Sequence, residues 1–242
     1  MKRLGHLAII AHDMGLIFEF LALITLVPFI VLILFREWEM IIPMGAVPFI
    51  FIVTGLLISR VPKKAYTPSL SVALVAVALT WLAIAAVGAV PFVLALDLSW
   101  TDSIFEAMSG WTGTGFTMMT SLDTMPRTLI FWRSFMQWIG GIGVIAFGIA
   151  MLSRSGLTQI QLYRSEGRSE ELMPSVVSTG RRMWAIYVFL TVVFTGMVLL
   201  SGIPLWDAIN LVIVSLATGG FAPHAAGMFY YNNPLLEPVR IT

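Results

Sequence analysis

The chain is dominated by long apolar stretches, each stopped by charge or by proline and glycine, where helices are expected to end. Five of them, Gly15 to Phe35, Ile41 to Ser59, Ser69 to Leu96, Leu129 to Leu152 and Met183 to Ser201, are long enough to cross a bilayer. A hydrocarbon core about 30 Å thick takes roughly 20 apolar residues of helix to span. Between the third and fourth stretches the pattern changes. Trp100-Thr101-Asp102-Ser103 offers a helix cap at Thr101 or Asp102, an apolar run follows through Ile104, Phe105, Ala107 and Met108, and Gly110 is expected to end it. Ten residues of helix rise only about 15 Å, half a bilayer. The chain then reads Trp111-Thr112-Gly113-Thr114-Gly115-Phe116-Thr117.

A second short helix follows the fifth stretch, opening at Asp207 and running into Leu216-Ala217-Thr218-Gly219-Gly220-Phe221-Ala222. An offset of 105 positions lays Asp102 on Asp207, Ile104 on Ile209, Gly115 on Gly220 and Phe116 on Phe221. Two half-helices, each after a span and each closing on Gly-Phe, indicate an internal repeat. The expected fold class is therefore an all-α integral membrane protein built of span, pore helix and span, with re-entrant filter loops. Residues 1–66 form a leading helix pair. Residues 67–153 make a first repeat, with its pore helix at about 101–110 and its filter at 112–116. Residues 154–182 form a cytoplasmic loop. Residues 183–242 begin a second, incomplete repeat, with a pore helix at about 207–216 and a filter at 217–221.

Composition agrees with lipid as the main solvent: 58% of residues are hydrophobic, 11% are charged and the mean hydropathy is +0.92. A net charge of +1 gives no field that would draw nucleic acid. The absence of cysteine removes disulfides and thiolate chemistry. Met1-Lys2-Arg3 precedes an apolar stretch without a small-residue cleavage site, which is expected to remain as a membrane anchor with a cytoplasmic N-terminus. That orientation places Lys2, Arg3, Arg60, Lys63, Lys64, Arg154, Arg164, Arg168, Arg181 and Arg182 inside and only Arg36, Arg127, Arg133 and Arg240 outside, in accord with the positive-inside rule. The outer segments hold Glu37, Glu39, Asp97, Asp102, Glu106, Asp123, Asp207 and Glu237, an expected acidic vestibule.

Irregular backbone at membrane depth is tolerated only where protein buries it or it lines a wet cavity. A Thr/Gly segment there points to backbone carbonyls replacing the water shell of a cation, beneath helix C-termini that carry partial negative charge. The candidate ligands are the carbonyls of Thr112, Gly113, Thr114, Gly115, Ala217, Thr218, Gly219 and Gly220. No catalytic constellation is needed, so an enzyme is not expected. Gly140, Gly141, Gly143 and Gly148 lack dinucleotide-loop spacing and read as helix-packing positions. Ser109, Ser215 and His224 resemble parts of a hydrolase site, but both serines fall at matched ends of half-helices. Asp13 reads as solvated. Glu19 reads equally as an ion relay or a structural residue. Arg133 either pairs with Glu106 or snorkels to the outer interface. His224 and Tyr230-Tyr231-Asn232-Asn233 read as outer loop, with the tyrosines at headgroup level.

The run Ala107-Met108-Ser109-Gly110-Trp111-Thr112-Gly113-Thr114-Gly115-Phe116 resembles the first filter of the Trk/Ktr/HKT potassium transporter superfamily. Phe131-Trp132-Arg133-Ser134-Phe135-Met136-Gln137-Trp138-Ile139-Gly140-Gly141-Ile142-Gly143 resembles the helix that follows it in the bacterial Trk branch. The inner Gln161-Leu162-Tyr163-Arg164-Ser165-Glu166 and the second filter extend the likeness over nearly the whole chain. The resemblance implies potassium uptake at the cell membrane, with K+ as transported ion and no covalently bound cofactor. It implies four repeats around one pore, a homodimer of such subunits, and a cytosolic nucleotide-binding ring that gates them. The Arg-rich inner loop from Arg154 to Arg182 reads equally as a docking surface for that ring or as the positive-inside bias alone. Against that pattern the chain has the leading pair, one repeat and half of another. It is therefore expected to be an N-terminal portion or one piece of a split subunit, the alternative being a non-conducting membrane scaffold. Gly113 stands where bacterial members often have threonine. Serine at the filter glycine accompanies sodium permeation in other branches, so Gly115 and Gly220 favour potassium.

Overall fold

The computed structural model describes residues 2–61, 70–155 and 176–231. Among these, helices account for all the regular structure: α1 (Lys2–Ile24), α2 (Pro28–Phe35), α3 (Ile41–Ser59), α4 (Leu70–Gly88), α5 (Val90–Leu96), α6 (Trp100–Thr112), α7 (Arg127–Ser155), α8 (Val176–Leu200) and α9 (Leu205–Leu216), with short 3-10 turns at Trp38–Met40, Leu122–Thr124 and Gly227–Tyr231. Four spans are long and apolar enough to cross a membrane, at Ile10–Phe35, Trp38–Ser59, Leu74–Leu96 and Gly180–Leu200. The 29-residue α7 is also long enough, at about 1.5 Å per residue. The inner Gln161 to Glu166 motif, Lys63, Lys64, Arg164, Arg168, Asn232, Asn233, Glu237 and Arg240 lie outside the described residues.

Two spans are broken by proline. Pro28 has no N–H to give, and around it the amides of Val27, Phe29 and Ile30 turn back three residues, to Ile24, Leu26 and Val27. Pro91 has the same effect on the third span. The Phe92 amide goes to Ala89, and the freed Gly88 carbonyl accepts a bond of 3.1 Å from Trp132 Nε1 of α7. A helix break thus becomes a tie between the wall and the span that follows the first half-helix.

The leading pair packs α1 on α3, and at Gly15 there is no room for a side chain against the backbone of Ser59. Ser59 Oγ donates to Glu19 Oε1 at 2.6 Å, and the Ser59 carbonyl lies 2.6 Å from His12 Nδ1. Glu19 therefore joins two helices. Behind the half-helices α6 and α9 stands α7, which packs on both, while α4 backs α6 and α8 backs α9. The core between them is aromatic, with Trp111 and Trp132 meeting edge to face at 6.0 Å. By contrast, only 6% of the Gly180–Leu200 span is buried. Phe189, Val192, Met197 and Leu200 face outward, a surface stable only against lipid or further protein.

Candidate functional site

The two half-helices begin on the same backbone geometry and end on the same pair of hydrogen bonds, though only the first has a side-chain cap. Ser99 caps α6, accepting from the Asp102 amide at 3.1 Å and donating to its carboxylate at 2.7 Å. Pro204, at the equivalent place before α9, has ψ 145° where Ser99 has 151°. Asp97 and Gly202, two residues earlier, both have positive φ, 51° and 86°. At the far end the Gly113 amide donates to Gly110 and the Thr114 amide to Ser109, at 3.2 and 3.0 Å. In α9 the Thr218 amide donates to Ser215 and the Gly219 amide to Val214, at 3.0 and 2.9 Å. All these pairs are 105 residues apart. This double bond around a left-handed residue is how a helix is stopped sharply.

The positive-φ residues that stop the helices are Gly113 (66°) and Thr218 (53°), and one residue beyond the next come Gly115 (82°) and Gly220 (83°). The first half-helix is thus longer than expected. Gly110 does not end it, because the left-handed turn falls at Gly113. Gly110 stays helical and buried, and its missing side chain admits Met136 and Phe221. Thr112 is accordingly the last helical residue, its hydroxyl donating to the Met108 carbonyl at 2.7 Å. The second half-helix starts two residues earlier than expected, at Leu205. Thr218 is β-branched, and holding such a residue at positive φ costs on the order of 1–3 kcal/mol.

The two turns touch. A methyl placed on Gly115 would stand 2.5 Å from the Gly219 carbonyl oxygen and 3.2 Å from the Gly220 Cα. Of the eight candidate carbonyls, that of Ala217 accepts from the Thr218 hydroxyl at 2.7 Å and that of Gly219 from Gln137 Nε2 at 2.6 Å. Those of Thr112, Gly113, Thr114, Gly115, Thr218 and Gly220 accept no hydrogen bond among the described residues.

One helix holds both turns. Arg133 of α7 is 1% exposed and pairs through Nε with Glu106 at 2.7 Å. Its other nitrogens reach Thr117 Oγ1 at 3.0 Å and the Ala222 carbonyl at 3.4 Å, and its guanidinium lies 4.2 Å over the Phe221 ring. Glu106 also accepts from the Thr117 hydroxyl and the Met118 amide. Of the two readings of Arg133, pairing is the one observed. Glu106 is correspondingly no part of an acidic vestibule, being wholly buried beneath the first turn. Glu37 is also engaged, accepting the amides of Arg127 and Thr128 at 2.7 and 2.8 Å and so capping α7. One helical turn below Arg133 the Gln137 side chain spans Gly219 and Phe221. No motif marks Gln137, yet a polar amide inside an apolar span is itself a signal, since it must find a partner there.

Above the second turn, His224 is more than surface loop. Its ring nitrogens lie 2.9 Å from Asp123 Oδ1 and 3.3 Å from Asp207 Oδ1, and it stacks on Tyr230 at 3.6 Å. Both nitrogens being engaged by carboxylates, it makes no serine-histidine pair with Ser109 or Ser215. Burial, and after it Asp207, pushes the Tyr231 phenol above its ordinary range. The predicted packing glycines divide: Gly140 and Gly141 meet Trp111 and Ala217, Gly143 meets nothing within 4 Å, and the surroundings of Gly148 lie outside the described residues.

Comparison with known proteins fits this geometry. The chain is 37% identical over 220 residues to an uncharacterised cation transporter of Methanocaldococcus jannaschii, covering 88% of this chain and 45% of that protein. It is 36% identical over 169 residues to the Trk system potassium uptake protein TrkH of Salmonella typhimurium, covering 67% of this chain and 35% of that one. The crystal structure of the potassium transporter TrkH from Vibrio parahaemolyticus superposes with a TM-score of 0.81 at 27% identity, over 94% of this chain and 46% of that one. The chain therefore spans half or less of the length of these relatives. The arrangement is that of a multi-pass, all-α membrane protein with re-entrant half-helices, from a family of transport proteins rather than enzymes. Since the family model for the cation transport protein TrkH matches residues 40–242, most of the length, the chain belongs to the TrkH family.

Proposed function

We propose that this chain supplies two filter segments of a potassium-uptake pore in the cell membrane, with its N-terminus on the cytoplasmic side. The observation that carries the proposal is the pair of turns that meet at Gly115 and Gly219, built on the same hydrogen bonds 105 residues apart and leaving six carbonyls unspent. Unpaired carbonyls at membrane depth are costly unless something replaces water around them, and a desolvated K+ does so. The C-terminal ends of α6 and α9 add partial negative charge at the same place. K+ passes by the carbonyls of Thr112, Gly113, Thr114, Gly115, Ala217, Thr218 and Gly220, with Gly219 offering its second lone pair. Two segments do not enclose an ion, so further filter segments complete the ring. Relatives named as Trk system potassium uptake proteins support the choice of ion. Homodimeric complete subunits gated by a cytosolic nucleotide-binding ring, docked on the inner segment between α7 and α8, complete the proposal by family likeness.

Serine at Gly115 or Gly220 tests it in the complete transporter. A side chain at φ 82–83° costs about 1–2 kcal/mol, and at Gly115 its Cβ also presses on the Gly219 carbonyl. Either variant is expected to lower potassium over sodium uptake about tenfold, the equivalent of some 1.4 kcal/mol, at near-normal membrane abundance. Uptake ratios unchanged in both would favour a non-conducting scaffold instead.

A further inference from the structure

We propose that Gln137 is a positioning residue for ion selection, setting the backbone of the second filter without touching the ion. This rests on the reading of the two turns as filter segments. Its side-chain amide acts as a neighbouring strand would. Nε2 donates to the Gly219 carbonyl at 2.6 Å and Oε1 accepts the Phe221 amide at 3.2 Å, so both polar groups flanking Gly220 are fixed by one rigid plane. Gln137 is fully buried, and its own helix stands on Trp111, so the amide has little freedom to follow a moving filter.

A second observation points the same way. Gly219 has an ordinary φ, so its backbone conformation does not ask for glycine. Space does, because a methyl there would run into the Oε1 and Cδ atoms of Gln137. The residue at the same place in the first turn is Thr114, which takes its own hydroxyl contact, 2.7 Å from Thr112 Oγ1. The two turns therefore differ in what fixes them. Phe221 is 4% exposed beneath Arg133, whereas Phe116 is 68% exposed. The amide clasp governs the second turn alone among the described residues, and the difference between Gly219 and Thr114 follows from it.

Carbonyl selection depends on how far the oxygens give way around a smaller ion, so releasing the clasp should blunt discrimination before it blocks passage. In the complete transporter, purified into vesicles, Gln137→Leu keeps the volume and removes both bonds. Potassium over sodium permeability is expected to fall about tenfold, in line with the loss of two buried hydrogen bonds, with abundance within about twofold of wild type. Should that protein fail to accumulate, Gly219→Ala leaves Gln137 in place and displaces only its amide, and the same fall in the ratio is expected. An unchanged ratio in whichever variant accumulates overturns the proposal. So does failure of both to accumulate, since the amide would then serve assembly and not selection. Wild-type vesicles separate this from the underlying reading: if they carry no potassium, the filter assignment itself fails, whereas a conducting wild type with an indifferent Gln137→Leu removes only the role of Gln137.

Discussion

Alanine at Gly140 is expected to abolish uptake by the complete transporter and to lower its melting temperature sharply, although it adds one methyl group to a helix that would ordinarily welcome alanine. That methyl would fall on the carbonyl oxygen of Trp111, with the Trp111 carbonyl carbon and Cα close behind. All three are backbone atoms, so no rotamer change relieves the collision and α6 must move away from α7. Overpacking of a close-fitting contact costs about 1–3 kcal/mol where side chains can yield, and more is expected here because they cannot. The displacement does not stay local. Arg133, Gln137 and Gly140 lie four and then three residues apart, on one face of α7, so the helix that shifts carries the tethers of both turns with it. Gly143→Ala is the control: nothing lies within 4 Å of its added methyl, and a gain of up to about 1 kcal/mol in helix propensity is expected. Detergent melting curves and uptake measured on both variants check this. Wild-type melting and uptake in Gly140→Ala would show that α6 and α7 do not need this approach.

The contrast between these two glycines marks the limit of reading a site from sequence. Span, half-helix and repeat were legible because each is a local or periodic pattern: apolar length gives the crossing, and a fixed offset equates Gly115 with Gly220. The helix starts were not placed correctly, since Ser99 and Pro204 precede the first turns and Thr101, Asp102 and Asp207 lie inside them. Termination was harder. Gly110 and Gly113 are both glycines near the end of one apolar run, and only the bonds from Gly113 and Thr114 decide which one turns left-handed. In the second repeat the residue that turns is Thr218, which carries no glycine signal at all. Charges misled in one direction. A glutamate at Glu106 or Glu37 reads as solvent-facing until a partner 27 residues on, or amides some 90 residues on, are brought to it by helix packing. The same holds for Gln137 and Gly219, separated by 82 residues. What the sequence does disclose of such contacts is their necessity, since a polar side chain inside a span must be satisfied by something.

Removing Arg133 should expose how much of the site hangs on one buried pair. Arg133→Met keeps much of the volume but leaves Glu106 wholly buried, with only the Thr117 hydroxyl and the Met118 amide as donors. Breaking a buried pair from one side costs about 3–5 kcal/mol, because the remaining charge is left uncompensated. A large fall in melting temperature and near-complete loss of uptake are expected. Glu106→Gln strands the guanidinium instead, which keeps its bonds to Thr117 and Ala222 and its place over Phe221, so a smaller loss is expected. The two changes together remove both charges, and the double variant should be more stable than the sum of the single losses predicts, by an interaction energy of about 1–3 kcal/mol. Stability and function should then part company. The double variant regains a neutral interior but nothing replaces the reach of Arg133 from the first turn to the second, so abundance is expected to recover while potassium over sodium uptake does not. Strictly additive melting shifts would mean that Glu106 and Arg133 act independently, and full recovery of selective uptake would mean that the bridge between the turns is dispensable.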